Sequence, residues 1–331
     1  MNKAASLFLS LCLLLLSLSS ANSSANSASN QSLSPKTYQA LNDIQQLLAD
    51  KQYEQVEQEL TALEESLNPG FGLALTYQIH AQLFLAQDNN SQALVYFNKS
   101  LQLEAMKATQ AVSLATNVAQ LYLADGAINN ALTVLAPRIA AAEKEKPEST
   151  NAMAFITMGS AYQLQENYAQ AIHWLQQGIE RADKPRENWL QMLMAAHYQQ
   201  KQYKQAIAVL DRLITLNGSK EEYWLQQASL YQAMNNSKGA LNVLQLAHVR
   251  GVLAKEDGLI LLVQLLISEG IPERAGRILL SLLTDNKIEI TEDKLQLLAP
   301  SCSQGLQRLK AIPAFTQAAE IAIDSKQKSA K

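Results

Sequence analysis

An aromatic or large apolar residue, a small residue nine positions on, and an apolar residue four further recur along most of this chain. Phe84/Ala93/Phe97, Tyr122/Ala131/Leu135, Tyr162/Ala171/Leu175 and Tyr231/Ala240/Leu244 carry the pattern in full. Leu266/Ala275/Leu279 fits less well, and His197/Ala206/Leu210 keeps the spacing with Tyr198 one place late. Leu47/Val56/Leu60 is a degenerate first copy. The small positions fall at 56, 93, 131, 171, 206, 240 and 275, in steps of 37, 38, 40, 35, 34 and 35 residues. Each copy predicts two antiparallel helices. A second small residue stands three before the aromatic, as Ala81, Ala119, Gly159 and Ala228. It marks where the first helix comes close to the second, and the Ala opening the second helix is expected to face it. One such pair cannot cover its own apolar stripe, so pairs must stack.

This pattern resembles the tetratricopeptide repeat (TPR) family over roughly residues 37–283, with the copy from Ala152 to Asp183 the fullest. The resemblance implies an all-α, right-handed α-solenoid of about seven stacked antiparallel helix pairs. Punctuation along the chain agrees. Ser219 with Glu222 has the spacing of a capping box ahead of Trp224. Pro272 suits the first turn of a second helix. Pro185 separates two pairs, and Gly218 and Gly270 suit turns. Pro137 falls inside a second helix, so a kink is expected, with a longer connection through Glu143–Lys146. Met194 stands where a small residue is usual, which predicts a splayed pair.

Composition supports a helical core: 48% of residues are hydrophobic, 17% charged, and Gly (12) and Pro (8) are scarce. Lys3 followed by the apolar run Leu7 to Leu18 has the form of an export signal, with cleavage expected after Ala21 or Ala25. The run is short for a membrane span, although an uncleaved anchor is the other reading. The expected layout is a signal at 1–21, a Ser/Asn-rich tether at 22–36, the array at 37–290, a helical cap at 291–324 and a polar tail at 325–331. Leu295, Leu298, Leu306, Leu309 and Ile312 are the expected cap residues. The mature chain would keep one thiol, Cys302, and so no internal disulfide. The expected location is the periplasm.

No constellation for chemistry emerges. His80, His173, His197 and His248 share no face at ligand spacing, so no metal is expected. No phosphate loop or nucleophile elbow occurs, and no cofactor or small-molecule substrate is implied. Glu64-Glu65, Glu221-Glu222 and the alternating charges at 143–146 read as solvated faces. A formal net charge of −3 gives no footprint for nucleic acid. The expected function is non-enzymatic binding of a protein partner.

Members of the resembled family bind peptides on the concave face, lined by first helices. The register places Gln82, Gln120, Ile156, Ser160, Gln163, Gln191, Tyr198, Leu225, Ser229 and Gln232 there. This lining is neutral and rich in amides. It lacks the Lys/Arg clamp of some cytosolic relatives, so a neutral peptide or helix is the expected guest. Residues 184–190 (Lys-Pro-Arg-Glu-Asn-Trp-Leu), the run Ala195–Gln200, Glu222-Tyr223-Trp224, Gly251-Val252-Leu253 and Pro272 further resemble the periplasmic TPR proteins encoded beside TonB systems. That resemblance implies an accessory to a TonB–ExbB–ExbD motor in outer-membrane iron uptake. An assembly factor for pili, cell wall or secretion, or a general periplasmic peptide-binding scaffold, is the alternative.

Overall fold

The computed structural model describes residues 32–285 together with residues 288, 291, 294, 297 and 316. The expected signal, most of the tether and nearly all of the expected cap lie outside the described residues. Fourteen α-helices, and no strand, occur among the described residues. They form seven antiparallel pairs. The first helices are α1 (Pro35–Ala49), α3 (Phe71–Ala86), α5 (Ala108–Ala124), α7 (Ala152–Leu164), α9 (Glu187–Gln199), α11 (Glu221–Ala233) and α13 (Glu256–Ser268). The second helices are α2 (Tyr53–Ser66), α4 (Asn90–Gln102), α6 (Ile128–Glu145), α8 (Tyr168–Glu180), α10 (Tyr203–Leu216), α12 (Ser237–Val249) and α14 (Pro272–Thr284). The chain divides into two compact units, Met1–Leu114 and Ala115–Lys331. No described helix is long and apolar enough to cross a membrane.

The repeat positions are the core. Val56, Ala93, Ala171, Ala206, Ala240 and Ala275 are 0% exposed and Ala131 is 1% exposed. The apolar residue four later is as deeply buried in every pair, from Leu60 to Leu279. An (i, i+4) couple lies on one helix face, so each second helix presses a small and a large residue inward together. In the first unit, Leu41, Ile44, Val56, Leu60, Ile79 and Leu83 gather into one cluster. In the second, one cluster centres on Leu175, Leu193, Leu210 and Leu213, and another on Leu244, Leu262, Leu266 and Leu279. Ile288 is buried in that last cluster and Leu297 packs against it.

The fullest copy shows why small residues are needed. A Cβ on Gly159 would lie 2.6 Å from Leu175 Cγ, and one on Gly178 would lie 2.8 Å from Ile156 Cδ1. Helices α7 and α8 therefore touch closely at both places. The nearest neighbour of the missing Gly159 side chain is Leu175, four residues after Ala171 on α8.

The turn inside each pair is the same in all seven. The residue before each second helix donates its N–H to the carbonyl five back: Gln52 to Leu47, Asn89 to Phe84, Ala127 to Tyr122, Asn167 to Tyr162, Gln202 to His197, Asn236 to Tyr231 and Ile271 to Leu266, all at 2.8–2.9 Å. This is a Schellman closure of the first helix. The acceptors are the aromatic positions of the repeat. The intervening residue is left-handed each time, yet only Gly126 and Gly270 are glycines. Lys51, Asp88, Glu166, Lys201 and Asn235 adopt φ between +55° and +60°.

Several local expectations change. Helix α1 opens at Pro35, capped by Ser34 through the Thr37 N–H at 3.0 Å, slightly before Thr37. Ser219 does not cap α11, which begins at Glu221. Its hydroxyl donates to Asn217 Oδ1 at 2.9 Å instead. Helix α6 continues past Pro137 to Glu145 and has 18 residues, so part of the long step is helix rather than connection. Pro272 does begin α14, and Gly218 and Gly270 do lie between helices.

Two outcomes follow for chemical denaturation. Lys201→Gly relieves a left-handed Lys and is expected to raise stability by roughly 0.5–1 kcal/mol. Gly159→Ala drives a methyl into a fully buried Leu175 and is expected to cost about 1–3 kcal/mol.

Candidate functional site

The ten positions expected on the first-helix face divide between the two units. In the first, Gln82 sits half-buried on α3. Nearby chemistry there belongs to His80, whose Nδ1 lies 2.5 Å from Glu64 Oε1 and whose ring stacks on Tyr96 at 3.9 Å and Phe84 at 5.2 Å. Glu64 is thus part of a buried contact and not a solvated charge. Burial raises the phenol pKa values of Tyr77 and Tyr96, and the charge of Glu64 adds to that.

In the second unit, the face is carried by the end of α5 and by α7, α9 and α11. Three of its polar groups are occupied. Gln120 Nε2 donates to Thr157 Oγ1 at 3.2 Å, Ser160 Oγ to the Ile156 carbonyl at 3.0 Å, and Gln191 Nε2 to the Tyr223 hydroxyl at 2.8 Å. Ile156 does not line an open face at all. It is 4% exposed and seated against Gly178, where a bulky aliphatic fills the space left by the missing side chain. Leu225 is half-buried, 3.3 Å from where a Gly258 Cβ would stand. Ser229 and Gln232 are exposed.

Besides Ser229 and Gln232, exposed surface remains at the C-terminal ends of α7 and α9, two helices in contact. Leu164 is 56% exposed and Tyr198 is 51% exposed. Between Tyr162 and Leu164, the Gln163 Oε1 atom is buried without a hydrogen-bond partner. A buried amide oxygen with no donor is costly and normally finds one. No group of three or more His, Cys, Asp or Glu side chains suited to a metal occurs among the described residues.

The residues missed from sequence are those that join one pair to the next. Glu187, opening α9, accepts from Lys220 Nζ at 2.5 Å and from the Tyr223 hydroxyl, both at the head of α11. One pair later, Glu222 takes Lys255 Nζ at 2.7 Å, and Glu221 receives the Lys255 N–H at 3.2 and 3.3 Å. Glu221 is 6% exposed and caps α13 from the neighbouring pair, favoured by the helix dipole. Gly258 makes room, since a Cβ there would lie 2.6 Å from Glu221 Oε1. Glu256 then pairs with Lys294. The signal was present as the dipeptides Arg186-Glu187, Lys220-Glu221 and Lys255-Glu256, spaced 34 and 35 residues apart.

Glu143 performs a similar task within a connection. It accepts the N–H groups of Glu148 and Thr150, each at 3.1 Å, and Arg181 Nη2 at 3.2 Å. Burial pushes its carboxyl up, but these donors outweigh that and hold it below the ordinary range.

Stacked antiparallel pairs of this period, closed by a common turn, define an all-α repeat of the TPR type. No family model matches the chain, and no curated protein does. Solved structures do. The Naa15/Naa10 complex bound to HypK-THB aligns with a TM-score of 0.56 at 14% identity, over 80% of this chain and 39% of that one. A tetratricopeptide repeat protein from Parabacteroides merdae aligns at 0.45 with 14% identity, over 81% and 99%. YrrB, a TPR protein with an unusual peptide-binding site, gives 0.47 with 15% identity over 60% and 94%. Likeness at these identities is a likeness of fold.

The inter-pair clips set an acid limit. Lys220 and Tyr223 hold the Glu187 carboxyl below its ordinary value, Lys255 does so for Glu222, and both lysines are raised in return. A depressed carboxylate stabilises the fold above the ordinary carboxylate range, and loses that effect as pH falls through its folded value. Glu187→Gln is therefore expected to flatten the fall in melting temperature on acidification, read by circular dichroism between neutral and acidic pH. An unchanged slope counts against the clip.

Proposed function

We propose that this protein is an exported, non-enzymatic scaffold that holds a neutral segment of another envelope protein on the first-helix face of its second unit. The observation that carries this is the unpaired Gln163 Oε1 beside the exposed Leu164, on a helix in contact with the one bearing Tyr198. An extended peptide would cover Leu164 and the Tyr198 ring with its side chains, and an outward turn of the Gln163 amide would let its buried oxygen accept one of the peptide N–H groups. Gln120 and Gln191 brace neighbouring pairs. The binding face is therefore narrower than the ten positions, and centres on Gln163 and Tyr198. Export rests on the Lys3 and Leu7–Leu18 signal, and the periplasm is the proposed location. The resemblance of residues 150–285 to periplasmic TPR proteins of TonB systems favours an accessory role to a TonB–ExbB–ExbD motor. The partner is then a protein of that motor or of its outer-membrane transporter.

Affinity purification from the periplasm is expected to recover TonB-system components. The double variant Gln163→Glu with Tyr198→Ala is expected to lose them, because it removes the ring and sets a charge where an N–H must dock. Recovery of pilus, wall-synthesis or secretion proteins with no TonB component overturns the assignment of partner. Unchanged capture by the double variant overturns the face.

A further inference from the structure

The fifth pair departs from pairs two, three, four and six at its aromatic position, and a pocket lies beside it. Pairs two, three, four and six place Phe84, Tyr122, Tyr162 and Tyr231 there; the fifth has His197. Tyr231 fills its own site so completely that a Cβ on Gly239 of α12 would lie 2.6 Å from the ring. In the same pair Gln227 reaches Asp211 Oδ1 at 2.6 Å across the seam between neighbouring pairs. The imidazole of His197 is shorter, and Leu193 stands where Gln227 stands one pair later. A pocket of about 230 Å³ remains between α8, α9 and α10.

Its chemistry is distinctive. Ile179, Leu193, Ala208 and Val209 provide apolar surface. His197 also lines it, although the residue is only 3% exposed. Nδ1 lies 2.7 Å from Gln202 Oε1. A carbonyl oxygen can only accept, so Nδ1 carries the proton and Nε2 is left as an acceptor. Nε2 has no hydrogen-bond partner among the described residues. Glu180 and Arg212 also line the pocket.

We propose that this pocket receives one aromatic side chain bearing a single hydrogen-bond donor, the phenol of a tyrosine or the indole of a tryptophan, presented by a protein partner. The ring covers the aliphatic walls, and its O–H or N–H donates to His197 Nε2. The volume has room for one such ring. The pocket is lined by α8, α9 and α10, and neither Gln163 nor Tyr198 lines it, so binding there is tested separately from the first-helix face.

The test uses the full chain and side-chain analogues: p-cresol for tyrosine, 3-methylindole for tryptophan, and toluene as the ring without a donor. Titration is followed by the ¹⁵N shifts of the His197 ring and the amide shifts of Ala208 and Val209. A donor-bearing analogue is expected to saturate in the millimolar range, to move Nε2 more than Nδ1, and to bind roughly three- to tenfold tighter than toluene. Response to p-cresol identifies a tyrosine, and response to 3-methylindole a tryptophan. His197→Tyr restores the ring of the other pairs and is expected to keep the fold while abolishing the response. Ala208→Phe, an exposed change that blocks the mouth, is expected to do the same. Equal binding of toluene and the donors, no saturable shift, or an undiminished response in both variants overturns the proposal.

Discussion

Everything in this chain depends on the inability of one helix pair to bury its own apolar stripe. Two helices in contact leave a face uncovered, and only another pair can cover it. The seven small positions and their apolar partners four residues later are nearly all inaccessible to solvent. They can be so only because both faces of each second helix find a neighbour. Close approach follows from the same need. Where Gly159 meets Leu175 and Gly178 meets Ile156, no side chain larger than hydrogen fits without displacing a buried aliphatic.

The inter-pair clips are the polar counterpart of that stacking. Each joins the head of one first helix to the head of the next, through Glu187 with Lys220 and through Glu221 and Glu222 with Lys255. Exposed ion pairs contribute little singly. The buried Glu221 differs, because it satisfies an N–H at a helix start that would otherwise lack a partner. Such contacts also explain why the first-helix face is less open than its composition suggests. Gln120 and Gln191 look like free amides in sequence but spend their donors on the adjoining pair. Neither amide is free without breaking that bond.

Much of the fold was legible in advance for a physical reason. Periodicity records burial, and burial follows directly from side-chain type. The pairs and their period came from that source, and Pro272 at a helix start and Gly270 in a turn came from their backbone preferences. The uniform turn was not legible, since five of its seven left-handed residues are not glycines. Their conformation is imposed by the Schellman closure and the packing of both helices. Local signals misled where longer contacts won. Ser219 and Glu222 have capping-box spacing, yet Glu222 is drawn to Lys255 and α11 starts at Glu221.

The sequence by itself determined the architecture of repeated pairs, the inward residues of each, and a neutral first-helix lining. Tertiary structure decided which of those lining groups remain free. It buried Ile156, paired Gln120 and Gln191, left Gln163 Oε1 without a donor, and opened a pocket beside His197. The reason is one of distance along the chain. Helix and turn preferences are set by neighbours within a few residues, whereas the partners that satisfy or bury these side chains come from 22 to 37 residues away.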